Sequence, residues 1–276
     1  MISRTPPPFG AELRRWRTLR RVSQLELANQ AGTTQRHLSF MEQGRSHPGR
    51  AIVLRLAESL RLTLRERNAL LFAAGYAPAF EETSYDAPAL APVREALEQV
   101  VRGHLPYPAL VIRRPGRLLA ANRAVGVFLE GCSPALLEPP VDVFRLMLHP
   151  DGMGPRVANL AQWGRHVVEN LGALAGRSPD RELDALVDEL AGYVPAAPAE
   201  PDHLGFAVPL RLTAPEGELR LLSALSSFAT AVDVTVAEVM LESFLPADAA
   251  TTAILGERDR RAAERGEPPL LALSAA

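Results

Sequence analysis

Residues 23–60 read SQLELANQAGTTQRHLSFMEQGRSHPGRAIVLRLAESL, and two glycine-marked breaks limit this stretch to short helices. Ser23 and Glu26 have the spacing of a capping box, so a helix starts there with Leu25, Leu27 and Ala28 facing inward. Ala31-Gly32 supplies a tight break. Thr33 or Thr34 then caps a second helix whose core face is Leu38 and Met41, and Gln43-Gly44 ends it. Three further helices surround this pair. One covers residues 9–20, with Leu13, Trp16 and Leu19 at helical spacing. One follows Pro48 and carries Ile52, Val53, Leu56, Ala57 and Leu60. A second capping box, Thr63 with Glu66, starts a fifth helix that stops at Gly75.

The helix after Gly32 puts hydroxyl, amide and guanidinium groups in its first turn and begins its core face one turn later. A helix that enters the major groove by its N-terminal end needs that layout, because the first-turn side chains read base edges and phosphates. Helix, tight turn, helix is the helix-turn-helix pattern. The stretch resembles the phage-repressor and Cro type of that motif, the xenobiotic-response-element (XRE) family of bacterial regulators. The matching positions are Gln24, Leu27-Ala28, Gly32, Leu38, Glu42 and Gly44. At Thr33 the chain departs from the family, where a branched apolar residue is common, so Thr33 must find a hydrogen bond or stay partly wet.

The resemblance places Gln24, Thr33, Thr34, Gln35, Arg36, Ser39, Arg45 and His47 at the DNA contacts, with Arg50 as a further phosphate ligand. A glutamine pairs with adenine and an arginine with guanine, while backbone amides at a helix start hold phosphate.

Charge supports a polyanion partner for this part alone. Residues 1–76 hold 13 Arg against 5 acidic residues, a net of +8, whereas the remainder is net −10 and the whole chain only −2. No apolar run reaches the roughly 18 residues that span a bilayer. The opening MISRTPPPFG has no signal-peptide pattern, and the single Cys132 excludes an internal disulfide, so a soluble cytoplasmic protein is expected. Cys132 reads as a buried structural thiol.

Residues 77–92 are rich in Pro and Ala and read as a linker, with Phe80 as a docking point. A helix over residues 93–102 opens the larger body. Strands are expected at 108–113 and 117–122 around the turn Arg114-Pro115-Gly116, followed by a helix to Leu129 with Asn122 near its cap. Helices follow at 142–148, 156–175 and 180–193. Two strands are expected within residues 204–229, around the turn Pro215 to Glu218, then a last helix over 233–244. The order sheet, helices, sheet fits an α+β domain with an antiparallel sheet and packed helices.

Strand, turn, strand ending in Asn, then helix resembles the entry of a PAS domain. The segments FRLMLHPDGMGPRVANLAQWGRHVV and SSFATAVDVTVAEVMLESFLPADAATTAIL are similar to the ligand-binding domain of MmyB-like transcription regulators. Asp142-Val143 stands where relatives have Asn, and Ala161-Gln162-Trp163 where an Asn-Trp pair is common. The resemblance implies a PAS-like pocket for a fatty acid or similar apolar molecule. An acyl carboxylate needs a cation or backbone donors. Asn122, Arg145, His149 and Trp163 are the candidate ligand residues, with Arg145 singled out as a cation on an otherwise apolar helix.

The expected organisation is a multidomain chain. An all-α five-helix helix-turn-helix domain spans 1–76 and a linker 77–92. An α+β PAS-like domain spans 93–256, and a tail that frays spans 257–276, with Leu270 to Leu273 able to dock. No catalytic constellation, phosphate loop, dinucleotide fingerprint or metal-spaced His pair is present in the sequence, so no catalytic residue, no metal and no enzyme is expected. No cofactor is required, although a flavin or haem in the PAS-like pocket stays open. The expected partners are an operator in double-stranded DNA, a fatty-acid-like ligand and a second copy of the chain, with no membrane. The alternative keeps the DNA-binding part and makes the body a dimerisation or protein-interaction platform.

Overall fold

The computed structural model describes residues 8–178, 180–196 and 207–271. The expected strand start at 204–206, the docking of Leu273 and the opening MISRTPP lie outside them. The chain divides into two units. One ends at Tyr85 and also includes Thr230–Ala237; the other is Asp86–Ala229 together with the chain from Glu238 onward. Among the described residues, no helix is long and apolar enough to cross a membrane.

The first unit is five helices: α1 (Phe9–Leu19), α2 (Gln24–Gln30), α3 (Gln35–Glu42), α4 (Arg50–Ser59) and α5 (Leu64–Ala73). Their shared core is Leu13, Trp16, Leu27, Leu38, Met41, Leu56 and Leu70, all at most 5% exposed. Local chemistry sets the boundaries. Ser23 accepts from the Glu26 amide, and Thr34 from the His37 amide. The box at α5 closes both ways: the Thr63 amide donates to Glu66 at 2.7 Å and the Glu66 amide to Thr63 Oγ1 at 3.4 Å. The box expected at α2 forms only its first half, because the Glu26 carboxylate instead accepts from Gln30 one turn on. Gly32 follows α2 at φ +65°, a conformation that costs a side-chain-bearing residue, and it turns the chain into α3. Gly10 is needed for closeness: a Cβ there would lie 2.5 Å from the Met41 carbonyl oxygen at the end of α3.

The segment after Gly75 docks on α5 at Phe80. The Asn68 side chain donates to the Phe80 carbonyl and accepts from the Ala79 and Phe80 amides. Further on, the Glu81 carbonyl accepts from the Val234 amide, and the Thr83 amide donates to Asp233. Residues 230–237 thereby belong to this unit.

The second unit begins with α6 (Ala91–Gly103), then β1 (Ala109–Arg113) and β2 (Arg117–Ala121). Four helices follow: α7 (Gly126–Leu129), α8 (Val143–Leu148), α9 (Leu160–Arg177) and α10 (Arg181–Ala191). Asp142 caps α8 and Asp180 caps α10. Strands β3 (Leu210–Ala214) and β4 (Gly217–Ser227) form a hairpin. The short α11 (Val234–Glu238) leads into β5 (Val239–Pro246), and α12 (Ala249–Glu264) ends the fold.

All strand pairs are antiparallel, and the sheet order is β2-β1-β5-β4-β3. The last strand is therefore the central one. This corrects the expected helix over 233–244: only its first turn is helical. The run VMLESFLP pairs with β1 along one side and β4 along the other, and two ladders of backbone hydrogen bonds outweigh its helical spacing. A second correction follows. Residues 257–264 are not a frayed tail but the last two turns of α12, which Asp248 caps and Leu255 anchors. Beyond it the Leu271 amide donates to Ala121, adding backbone pairing beside β2. The core joins Leu110, Ile112, Leu221 and Phe244 of the sheet to Met147, Trp163, Leu171 and Leu186 of the helices.

Candidate functional site

On the first unit the candidate DNA residues gather at the start of α3. Thr34, Gln35 and Arg36 are exposed, and Ser39 lies half-buried one turn on. Arg36 extends over the Phe40 ring at 5.4 Å, which orders the guanidinium without using its hydrogen-bond donors. Thr33 finds the partner its polarity demands, with its hydroxyl 3.0 Å from His37 Nδ1. Arg45 and His47 are exposed after the helix, and the His47 ring meets Tyr76 edge-on at 6.0 Å. Gln24 is placed differently from a free phosphate ligand. Its side-chain nitrogen donates to Glu42 at 2.7 Å, so one of its two amide protons is committed inside the unit.

In the second unit an open cleft of about 720 Å³ lies between the sheet and α8 and α9. Trp163, Phe144, Met147 and Leu171 wall it, and Ile112 and Met240 form its floor. The volume is in the range of small-molecule sites, and so is the mostly apolar lining with a few polar groups. Those polar groups are Arg114, His166, Asn170, Ser223 and Glu242. Among the described residues, the buried Arg114 Nε has no hydrogen-bond partner. Glu242 is 8% exposed; burial pushes its carboxyl up to about 7, against a hydrogen bond from Ser223 that favours the ionised form.

Of the four ligand residues expected from sequence, Trp163 lines this cleft and the other three do not. Asn122 is fully buried; it stands at the N-cap position of the helical turn Arg123–Val125, as expected, but its side chain makes no capping hydrogen bond and does not meet the cleft. Its amide donates to the Val101 and Tyr107 carbonyls and its oxygen accepts from the Ala109 amide, stapling α6 to β1. Arg145 is bidentate to Glu189, with both contacts at 2.8 Å, so it ties α8 to α10. That contact holds the Glu189 carboxyl below its usual range. His149 stacks edge-on against Tyr193 at 4.8 Å and accepts the Asp151 amide. A polar residue on an apolar element signals either a ligand or an internal staple, and here the neighbouring backbone and Glu189 claimed the groups.

The sequence reading missed Arg114 and Glu242. Arg114 sat in an expected turn and Glu242 in an expected helix. A single acid in the mostly apolar run Val239 to Leu245 was the signal that could have found Glu242; the run does not alternate, so periodicity gave no help. The Cys132 thiol is half-buried rather than buried as expected; it donates to the Phe128 carbonyl, and desolvation pushes its pKa up.

Five helices with an exposed polar α3 start, followed by an α+β domain with an open, mostly apolar cleft, define a DNA-binding transcription regulator with a ligand-binding domain. Residues 93–257 match the MmyB-like transcription regulator ligand binding domain and residues 8–70 a helix-turn-helix domain. The chain belongs to the MmyB-like transcription regulators. Both matched families are regulator types and not enzymes. No curated protein matches the chain. A solved RNA-binding light-oxygen-voltage receptor is similar over 93% of this chain at 12% identity, with a TM-score of 0.29. The chain spans 64% of that receptor's length, and so loose a likeness carries no argument.

Proposed function

We propose that the chain is a one-component regulator of the XRE type. It binds operator DNA as a homodimer through the start of α3, and its cleft senses a fatty acid or similar apolar molecule. Two half-sites about one helical turn apart follow from the dimer. The observation that carries the ligand half is the cleft itself: an apolar slot of about 720 Å³ with Arg114 at its wall. The carboxylate goes to Arg114, whose buried Nε has no hydrogen-bond partner among the described residues, and not to Arg145, which is bidentate to Glu189 and does not line the cleft. The cleft-lining strands β4 and β5 are joined through residues 230–237, which are hydrogen-bonded within the DNA-binding unit. Ligand occupancy reaches that unit along this connector. Regulation requires the ligand to bind the DNA-competent and incompetent states with different affinity.

The test is mass spectrometry of an organic extract of the purified chain, followed by operator affinity with and without the recovered molecule. A stoichiometric fatty acid that changes operator affinity is the expected result. A chain that takes up no acyl ligand yet binds operator would make the second unit a dimerisation platform.

A further inference from the structure

Glu242 has no structural reason to be an acid. It stands on the central strand with Leu110 opposite on β1 and Leu225 opposite on β4, and Ile112 and Met240 lie beside it on the cleft floor. Among the described residues, Ser223 is the one group that hydrogen-bonds its carboxyl, which can accept roughly four hydrogen bonds. Among the described residues no cation pairs with it. A buried carboxyl so poorly satisfied destabilises a core that leucine would fill, unless a guest supplies the missing donor.

The cleft has a second pole. Arg114, in the turn just past the end of β1, lines the cleft as Glu242 does, and it follows Ile112, whose partner Met240 stands two residues from Glu242 along β5. Between the two poles lie Ile112 and Met240, both apolar. A carboxylate head placed at Glu242 would set two acids against each other, so an anionic head belongs at Arg114. The group that reaches Glu242 must then be a hydrogen-bond donor further along the same molecule.

We propose that the ligand of this cleft is an acyl-chain acid bearing a hydroxyl group, with its carboxylate at Arg114 and its hydroxyl donating to Glu242. This rests on the fatty-acid reading above and narrows it. A hydroxyl fits better than an ammonium, which would have to be stripped of water in an apolar slot alongside an ionised carboxylate. A buried carboxyl accepts a hydroxyl in either protonation state without that second desolvation. Across the cleft, His166 and Asn170 of α9 are the other polar side chains available to such a guest.

The test is calorimetric titration of the delipidated full chain with dodecanoic acid, its monohydroxy positional isomers and an amino-substituted counterpart. One isomer hydroxylated well away from the carboxylate is expected to bind about tenfold tighter than the parent acid, the worth of one hydrogen bond to a carboxyl group. Glu242→Leu is expected to reverse that order, and Glu242→Gln, which keeps the shape and an acceptor oxygen, to retain it. Equal binding of the parent acid and every isomer overturns the inference while leaving the fatty-acid reading intact. So does a preference that survives Glu242→Leu, or tighter binding of the amino acid than of any hydroxyl isomer. If none of the acids binds, both readings fall together.

Discussion

Glu42 accepts two hydrogen bonds from the Arg17 guanidinium, to Nε at 2.6 Å and to Nη2 at 3.0 Å. With the Gln24 amide on the same carboxylate, one acid at the end of α3 holds the last turn of α1 and the first residue of α2. The Glu42 side chain is only 4% exposed and that of Arg17 15%. Removing the acid therefore leaves a nearly buried cation. Glu42→Ala is expected to destabilise the first unit by about 3 kcal/mol, the low end for a broken buried pair because Arg17 retains some access to water. Denaturant unfolding followed by Trp16 fluorescence, in a Trp163→Phe background, measures it. A loss below about 1 kcal/mol would mean that the pair acts as an exposed one.

The candidate reading residues separate by salt and sequence. Arg36→Ala should weaken operator binding by about 1–3 kcal/mol and relax preference at one base position. Arg45→Ala should weaken all sequences alike and reduce the salt slope by about 1. Anisotropy titrations over a salt series, with operator and scrambled DNA, distinguish the two. If Arg36→Ala leaves sequence preference unchanged, it is not a reading residue.

Arg114 and Arg145 offer a paired comparison. Arg114→Ala should lower fatty-acid affinity at least about tenfold, as the loss of a charge-assisted contact does. Arg145→Ala should leave that affinity alone and cost about 1 kcal/mol or less in stability, since its side chain is 43% exposed. Titration of both variants with the same acid checks this, and the opposite pattern would return the carboxylate to α8.

Glu242 imposes a pH dependence on stability. Its carboxyl titrates near 7 in the folded chain, against an ordinary value of 4.5. Between those values the folded state holds the extra proton, so stability falls as pH rises from about 4.5 to about 7 and is flat above. Full ionisation costs on the order of 3 kcal/mol. The other charged or titratable groups facing the cleft are Arg114 and His166. Glu242→Gln should remove this slope and be the more stable protein at pH 8. Thermal unfolding of both proteins at pH 5.5 and 8 gives the comparison; parallel curves would refute it.

Asp233 tests the connector. It accepts from the Thr83, Thr235 and Val236 amides. Asp233→Ala should leave operator and ligand binding each in place and reduce the effect of one on the other. A double titration reads that coupling, which must be reciprocal; an unchanged coupling would move the route elsewhere.

The five helices of the first unit were legible because their signals are local. Caps at Ser23, Thr34 and Thr63, the turn at Gly32 and the apolar spacing of Leu38 and Met41 each act within a few residues. The α+β class of the second unit was legible for the same reason, through the hairpins at β1–β2 and β3–β4. The identity of β5 was not, because VMLESFLP carries the spacing of either element and becomes a strand only when β1 and β4 flank it.

Sequence by itself determined the helix-turn-helix unit, the basic and acidic halves and the type of the second domain, since capping, turn geometry and charge are properties of neighbouring residues. Tertiary structure decided which polar groups remain for a ligand. Asn122, Arg145 and His149 were claimed by backbone, Glu189 and Tyr193, all brought close by folding. Glu242 came to the cleft because pairing with β1 and β4 made its segment a strand, and Arg114 because it follows β1 at the same cleft; no pattern along the chain records a contact between segments more than a hundred residues apart.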